Sequence, residues 1–311
     1  MATLYTQAES NNRKTWLLIT GFLVFIIALG WLFSYLLDNY IFLILAVIIA
    51  VLQSFLSYWH SDKIILAMTH AKPIEKRDNP ELYRIVENLS ITAGLPLPKI
   101  YIIEERQPNA FATGRDQKHA VVAVTRGLLE KLDRVELEGV IAHELSHIGN
   151  KDMLLGTVVV ILVGVVALLS NLFLRISFFG GGRRSSRDSG GIIMLLSGIA
   201  AAILAPLAAV LIQMAISRKR EFLADASGAL LTRYPEGLSR ALEKISADST
   251  PLKAASTSTA HLFISSPFKG KQSQNWLTKL FMTHPPVEER IKALRESMKA
   301  SPSSSPFASL G

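Results

Sequence analysis

Two histidines and a glutamate lie close together at residues 141–148, where the sequence reads Ile-Ala-His-Glu-Leu-Ser-His-Ile. His143 and His147 are four residues apart, so on a helix both imidazole rings project from one face and can bind one metal ion. Glu144 directly follows the first histidine, and its carboxylate can accept a proton from a water at the metal without being a ligand. This H-E-x-x-H pattern is typical of zinc peptidases, in which zinc lowers the pKa of water from about 15.7 towards 7. The pattern therefore predicts zinc-dependent hydrolysis of peptide bonds, with Glu144 as the general base.

The alternative is a helix that carries two solvated histidines and matches the pattern by chance. Val140, Ile141, Leu145 and Ile148 provide apolar packing positions, and neither proline nor glycine interrupts residues 140–148. A packed, uninterrupted helix favours the metal site over the chance match.

A catalytic zinc needs three protein ligands and an open position, and the pattern supplies two of the ligands. The other histidines of the chain are His60, His70, His119, His261 and His284. Glu221 is a further candidate, since Asp225 lies one helical turn later and could hold a ligand histidine through its ring N–H. A solvated acidic pair beside the basic residues Arg218, Lys219 and Arg220 explains the same pattern about equally well. The residues alone leave the third ligand open.

The composition indicates a membrane protein. Half of the 311 residues are hydrophobic, and the mean hydropathy is +0.32. Four segments are long and apolar enough to cross a bilayer, which needs about 20 residues: residues 16–37, 40–56, 154–179 and 192–216. The first two are separated only by Asp38 and Asn39, which predicts a tight hairpin. A cleaved signal peptide is disfavoured, because the first apolar run is long and a second follows at once.

The net charge and the absence of cysteine limit the kinds of binding partner and metal ligand that the chain can have. The net charge of +8 is scattered and no nucleic-acid motif accompanies it, so we expect contact with anionic lipid headgroups of the bilayer and no nucleic-acid partner. The absence of cysteine excludes disulfides and cysteine-ligated zinc.

The soluble residues are predicted to form one α+β domain in two parts, 58–153 and 217–300, because a hairpin inserted at 154–216 returns the chain to the side it left. Strands are predicted at residues 99–104 and 120–125, with a third within 108–114, and helices at 79–94 and 134–149. Residues 1–15 and 301–311 are expected to be flexible. The loop at 180–190 contains three arginines and would face outward, against the positive-inside rule, so full crossing of the third and fourth segments stays open.

Several stretches together resemble the HtpX family of membrane zinc metallopeptidases, which is related to the CaaX prenyl proteases and to mitochondrial quality-control peptidases. The matching stretches are Asn-Ala-Phe-Ala-Thr-Gly at 109–114, Val-Ala-Val at 122–124, His-Glu-Leu-Ser-His-Ile-Gly-Asn-Lys-Asp at 143–152, Ser-Arg-Lys-Arg-Glu-Phe-Leu-Ala-Asp at 217–225, and Phe-Met-Thr-His-Pro-Pro at 281–286 with Arg290 and Ile291. The resemblance implies a mainly helical α+β integral membrane protein, with four transmembrane helices and a cytosolic zincin-like (gluzincin) protease domain that contains a small β-sheet. It also implies one zinc ion per chain and Glu221 as the third ligand.

The resemblance further implies a bacterial inner-membrane endopeptidase that acts in the stress response on misfolded or damaged membrane proteins. His284 corresponds to the family's His-Pro-Pro histidine, and His284 and Arg290 are candidates to stabilise the oxyanion. Asp225 and Arg290 are expected to support the ligands from behind.

A substrate strand could add to an edge strand formed by Asn109, Ala110, Phe111 and Ala112. An internal strand with ordinary core residues is nearly as good an interpretation of this segment. Asn150 and Asp152 are expected to fix the end of the metal-binding helix.

Other functions explain the sequence less well. A CaaX-type processing protease would carry more spans than four. A transporter is disfavoured because the predicted spans contain almost no charge apart from Arg175, and a proteolytically inactive relative is disfavoured because Glu144 and all three proposed ligands are present.

Overall fold

The computed structural model describes residues 4–36, 38–179, 218–250, 259, 262–264 and 285–300 of the chain. The helices are α1 (Leu4–Leu36), α2 (Ile41–Trp59), α3 (Ser61–Met68), α4 (Pro80–Ala93), α5 (Arg126–Lys131), α6 (Arg134–Gly149), α7 (Met153–Phe179), α8 (Arg218–Thr232), α9 (Pro235–Ala247) and α10 (Val287–Ala300). The strands are β1 (Lys72–Pro73), β2 (Lys99–Ile103), β3 (Ala110–Thr113) and β4 (Val121–Thr125). The described part is therefore mainly helical with one small sheet, as predicted.

Helices α1 and α2 form the predicted hairpin. Asp38 turns the chain in the left-handed region at φ 47°, and the Asn39 side chain accepts a hydrogen bond from the backbone N–H of Ile41 at 3.0 Å. Ser10–Tyr35 and Ile41–Trp59 are both long and apolar enough to span a membrane. Much of the large apolar surface of α2 faces outward, as a lipid-facing helix requires.

The N-terminal segment differs from the prediction. Residues 1–15 were expected to be flexible, yet α1 is helical from Leu4 onward. No proline or glycine interrupts residues 4–15, and Asn11 and Thr15 are buried against the rest of the molecule. The helix therefore extends well beyond its apolar part.

The sheet has the strand order β1-β2-β4-β3 and is mixed. β2 pairs with β4 in parallel, and β3 pairs with β4 antiparallel, with Phe111 opposite Ala123. The β-branched residues of β2 and β4 are buried on the sheet, as strands of this composition favour. β3 lies at one edge of the sheet that the described residues form, and its use as a substrate-binding edge stays a prediction.

Helix α6 lies at the centre of the soluble core and contacts α4, α8, α9, β3 and β4. Its start is fixed by a capping box, in which Asp133 accepts from the backbone of Glu136 and the Glu136 side chain accepts from the backbone of Asp133. Gly139 allows the close approach of α9, because a Cβ atom there would lie 2.6 Å from the backbone nitrogen of Leu238. The sequence thus places a glycine where α6 needs tight packing.

Helices α6 and α7 are separated by three residues, Asn150, Lys151 and Asp152, and their axes differ in direction by 86°. Taken as one bent segment, the two helices are long and apolar enough for a broken membrane span. The described residues then contain three candidate spans instead of two. α7 covers the third predicted span. The 180–190 loop, the fourth predicted span at 192–216 and the tail at 301–311 lie outside the described residues.

Candidate metal centre

Three side chains from two distant helices converge on one point. The Nε2 atoms of His143 and His147 lie 3.2 Å apart, and the Glu221 carboxylate lies 3.9 Å from the first and 3.7 Å from the second. One ligand atom of each residue falls within 4.8 Å of the others, which makes the three a potential metal site. α6 supplies the two histidines on one face, and the first turn of α8 supplies Glu221.

These residues fit a zinc ion. Two nitrogens bound tetrahedrally to zinc at about 2.05 Å would lie about 3.3 Å apart, close to the distance between the histidines. The Nδ1 atom of each ring faces a carboxylate, so in the neutral form of each ring Nε2 is left as an acceptor that points at the shared position. Two such nitrogens and a carboxylate offer only acceptors, and a cation completes that set.

His143 is oriented by a buried ion pair. Its Nδ1 lies 2.9 Å from Oδ1 of Asp225. Arg290 donates two parallel hydrogen bonds to the same carboxylate, from Nε at 2.8 Å and from Nη2 at 2.6 Å. Its Nη1 donates to the backbone oxygen of Ile264 at 3.1 Å. Arg290 is 0% exposed, so its guanidinium is held in place by Asp225 and the backbone rather than by water.

The pKa values in this group follow from burial and from the fixed charges. Burial lowers the pKa of His143 to about 4, against the opposing effect of Asp225. Burial acts against ionisation of Asp225 as well, but the charge and hydrogen bonds of Arg290 outweigh it and lower the pKa of Asp225 to about 2. His143 is thereby kept neutral, which is the form that binds metal.

His147 is oriented by a different carboxylate. Its Nδ1 lies 3.2 Å from Oδ2 of Asp152, which is buried at the break between α6 and α7. Burial disfavours the charged ring, but the hydrogen bond that the ring donates to Asp152 and the carboxylate of Glu221 outweigh burial and raise the pKa of His147 to about 9. Without a metal ion the ring is therefore protonated at neutral pH, and zinc binding must release the proton from Nε2. The two ligands thus have separate supports, Asp225 and Asp152.

Glu144 is buried next to His143 in the chain. It is not one of the three residues that form the potential metal site. The backbone N–H of Ala112 in β3 donates a hydrogen bond to its carboxylate, and burial raises the pKa of Glu144 to about 7. A carboxylate in these surroundings accepts a proton near neutral pH, as a general base requires.

The outer edge of β3 runs past Glu144. The N–H of Thr125 in β4 donates to the backbone oxygen of Asn109 at 2.9 Å. Since outward and inward groups alternate along a strand, the backbone groups of Ala110 and Ala112 face away from β4. The oxygen of Ala110 accepts from the N–H of Ile264 at 3.0 Å, and the N–H of Ala110 donates to the side chain of Asn109 at 3.2 Å. The predicted substrate edge is therefore occupied at Ala110, and Ala112 is the position that faces Glu144.

Helix α8 reaches the site because of Gly228. A Cβ atom at this position would lie 2.9 Å from the backbone nitrogen of His143 and 3.1 Å from its Cα atom. No side chain fits there, so the backbones of α6 and α8 come into direct contact beside the first ligand. That contact sets the distance from which Glu221, two turns earlier in α8, approaches the histidines.

The structure thus brings together Glu144, the three predicted ligands, and Asp225 with Arg290 behind them. The described hydrogen bonds of Arg290 go to Asp225 and to the backbone oxygen of Ile264. Arg290 therefore supports the carboxylate that contacts His143, and these bonds do not direct it at the position of an oxyanion. His284 lies outside the described residues. Asn150 caps the end of α6, as expected, and Asp152 follows it. The contacts of Asp152 with Asn11 and Arg220 were not predicted from the sequence, because the first of them joins residues 141 positions apart.

A helix with H-E-x-x-H, whose two histidines meet a glutamate from a later helix, defines the class of metallopeptidases. Comparison with known proteins gives the particular family: the profile of peptidase family M48 matches residues 76–298. The chain belongs to peptidase family M48. The prediction of a metalloprotease enzyme is thereby confirmed.

Individual relatives agree with the family. The chain is 47% identical over 300 residues to the protease HtpX homolog of Thermoanaerobacter pseudethanolicus, covering 94% of this chain and 97% of the relative. It is 50% identical over 255 residues to the homolog of Syntrophobacter fumaroxidans, covering 81% and 89%. The predicted resemblance to the HtpX family is confirmed by these matches. A crystal structure of S. mikatae Ste24p is similar at 19% identity and a TM-score of 0.48, covering 94% of this chain and 66% of that one.

Proposed function

We propose that the chain is a zinc-dependent endopeptidase of the bacterial inner membrane, with its protease domain facing the cytoplasm, which cleaves misfolded or damaged membrane proteins. The observation that carries the proposal is the convergence of His143, His147 and Glu221 beside Glu144, in a chain with two apolar helices of membrane-spanning length. Membership of family M48 and the similarity to proteins named protease HtpX homolog support it.

Each residue of the proposed site has its own role in the reaction. His143, His147 and Glu221 would hold zinc, which when bound supplies a Lewis acid that polarises the scissile carbonyl and acidifies water. Glu144 accepts the proton of the attacking water at its carboxylate and passes it to the leaving amine. Asp225 and Asp152 keep the two imidazole rings turned with Nε2 towards the shared position. We propose His284 as the donor that stabilises the oxyanion, on the resemblance of its His-Pro-Pro sequence.

A substrate would bind along the outer edge of β3. The N–H of Ala112 already donates to Glu144, so an extended peptide that pairs at this position would take over that hydrogen bond and place its scissile bond beside the general base. Pairing through the backbone reads few side chains, which suits an enzyme that removes many different damaged proteins. The α7 helix and residues 192–216 are proposed to complete four membrane spans, and spans of this kind would bring membrane-embedded substrates to the site.

Glu144→Gln tests the proposal in purified, detergent-solubilised protein. We expect about one bound zinc per chain in both the unchanged chain and this variant, with cleavage of unfolded casein lost only in the variant. Glu138→Gln is the matched control, since Glu138 lies on the same helix and pairs with the exposed Arg134 at 3.0 Å. Cleavage by Glu144→Gln at the unchanged rate would overturn the general-base role, and an unchanged chain that binds no zinc would overturn the metallopeptidase.

His284→Phe in the same assay tests the oxyanion donor. We expect kcat to fall by about 100-fold, as loss of one such donor does elsewhere, while zinc binding is retained. An unchanged kcat would remove His284 from the mechanism.

A further inference from the structure

Asp152 connects the metal centre to the first membrane helix. Its Oδ2 faces the ligand His147, and its Oδ1 accepts a hydrogen bond from Nδ2 of Asn11 at 2.5 Å. Asn11 lies at the first turn of the candidate span Ser10–Tyr35 within α1. One carboxylate therefore contacts a metal ligand with one oxygen and a membrane helix with the other.

Arg220 closes this contact into a triangle. Its Nε lies 3.2 Å from Oδ1 of Asp152, and its Nη2 donates to Oδ1 of Asn11 at 3.2 Å. Asn11, Asp152 and Arg220 are 3%, 5% and 6% exposed. An asparagine suits the position, since its amide donates to the carboxylate and accepts from the guanidinium at the same time.

The triangle supports two of the three proposed ligands. Asp152 orients His147, and Arg220 directly precedes Glu221 in α8. Its three members come from α1, from the break between α6 and α7, and from α8. Removing Asn11 would leave a buried carboxylate and a buried guanidinium each short of one partner.

We propose that Asn11 is a positioning residue for the metal centre. By holding Asp152 and Arg220, it fixes the ring of His147 and the start of α8, so the side-chain hydrogen bonds of Asn11, rather than the apolar packing of α1, complete the zinc site. The inference rests on the proposed zinc-dependent function. It assigns a role in metal binding to a residue of the N-terminal helix, far from the H-E-x-x-H pattern.

The test measures zinc affinity by competition with a fluorescent chelator, together with the visible absorption spectrum of the cobalt-substituted protein, which reports the coordination geometry. We expect Asn11→Ala and Asn11→Asp to weaken zinc binding by about 10–100-fold, the range found when groups behind metal ligands are removed. The aspartate variant sets two carboxylates against each other and should be the weaker of the two.

A paired exchange separates positioning from general destabilisation. In the double variant Asn11→Asp with Asp152→Asn, an amide still donates to a carboxylate and the net charge is unchanged, so we expect tighter zinc binding than in Asn11→Asp alone. Asn12→Ala controls for the exposed neighbour on α1, and Phe22→Ala controls for lost packing of the same helix within its buried apolar cluster. Both controls should bind zinc as the unchanged chain does.

The outcomes are distinct. Asn11→Ala that binds zinc as tightly as the unchanged chain would overturn the inference, and so would Phe22→Ala that loses zinc to the same extent. Effects of Asn11→Asp and Asp152→Asn that simply add in the double variant would also overturn it, because additive effects mean that the two side chains do not act through each other. Absence of zinc from the unchanged chain would instead defeat the proposed function itself.

Discussion

The two histidines of the metal centre are supported by different parts of the molecule. Behind His143, both oxygens of Asp225 are bound by the single guanidinium of Arg290, which belongs to α10. Behind His147, the oxygens of Asp152 are divided between the ligand and the pair formed by Asn11 and Arg220. The first support joins α6, α8 and α10, and the second includes the end of a candidate membrane helix.

The two supports depend on different packing contacts. The support of His143 requires that α10, from the last part of the chain, docks on α8, so it forms only when the soluble domain is complete. The support of His147 requires in addition that α1 is in place. A change behind His143 should therefore weaken both folding and metal binding, whereas a change at Asn11 should act mainly on the metal.

The largest effect is expected for Arg290→Leu. This substitution leaves Asp225 buried without its cation, and breaking a buried pair by removing one partner costs about 3–5 kcal/mol. We expect the urea midpoint of the metal-free protein to fall and zinc binding to weaken, because Asp225 loses the group that holds it against His143.

Arg290→Lys is the matched control for charge. Lysine keeps the cation but cannot donate two parallel hydrogen bonds, so it should fall between the unchanged chain and the leucine variant. If both variants unfold at the urea concentration of the unchanged chain, the support of His143 does not contribute to stability, and the contrast between the two ligands disappears.

An intermediate effect is expected for Gly228→Ala. The added methyl group meets the backbone of His143 at 2.9 Å, and overpacking of this kind costs typically 1–3 kcal/mol. The helices must separate, which moves Glu221 away from the histidines, so zinc binding should weaken. Gly21→Ala is the control, since a Cβ atom there meets nothing within 4 Å. Zinc bound equally by both alanine variants would show that the helix contact does not set the position of Glu221.

The smallest effect is expected for Arg126→Gln. Arg126 pairs with Glu104 at 2.7 Å, but both side chains are about half exposed, and exposed pairs contribute about 0–1 kcal/mol. Zinc affinity and casein cleavage should stay as in the unchanged chain. A clear loss of zinc in this variant would mean that affinity follows overall charge rather than the two buried supports.

What could be predicted from the sequence was local. The spacing of His143 and His147, the bounds of α6, and the ends of α4 at Asn79 and Gly94 all depend on neighbours within a few residues, and the structure agrees with them. The two-residue strand β1 is too short to produce a periodic pattern and was missed.

The rest of the site depends on contacts between distant residues. The residues alone left Glu221 level with a solvated acidic pair, because its distance from the histidines is set by the fold, and the family resemblance decided the choice. Nothing local marks Asn11, since its partner Asp152 lies 141 residues away. A polar residue where the apolar part of a helix begins is usually interpreted as a solvated position. Only the burial of Asn11 in the structure shows that it is not solvated.

The contact at Gly228 also fixes the register of α8 on α6. A slip of one helical turn would bring Ala224 or Thr232 to the place where no side chain fits, so the helices cannot slide along each other while they stay packed. Glu221 consequently has a single height relative to His143 and His147. As long as the two helices remain in contact, all three ligands therefore keep one geometry relative to each other.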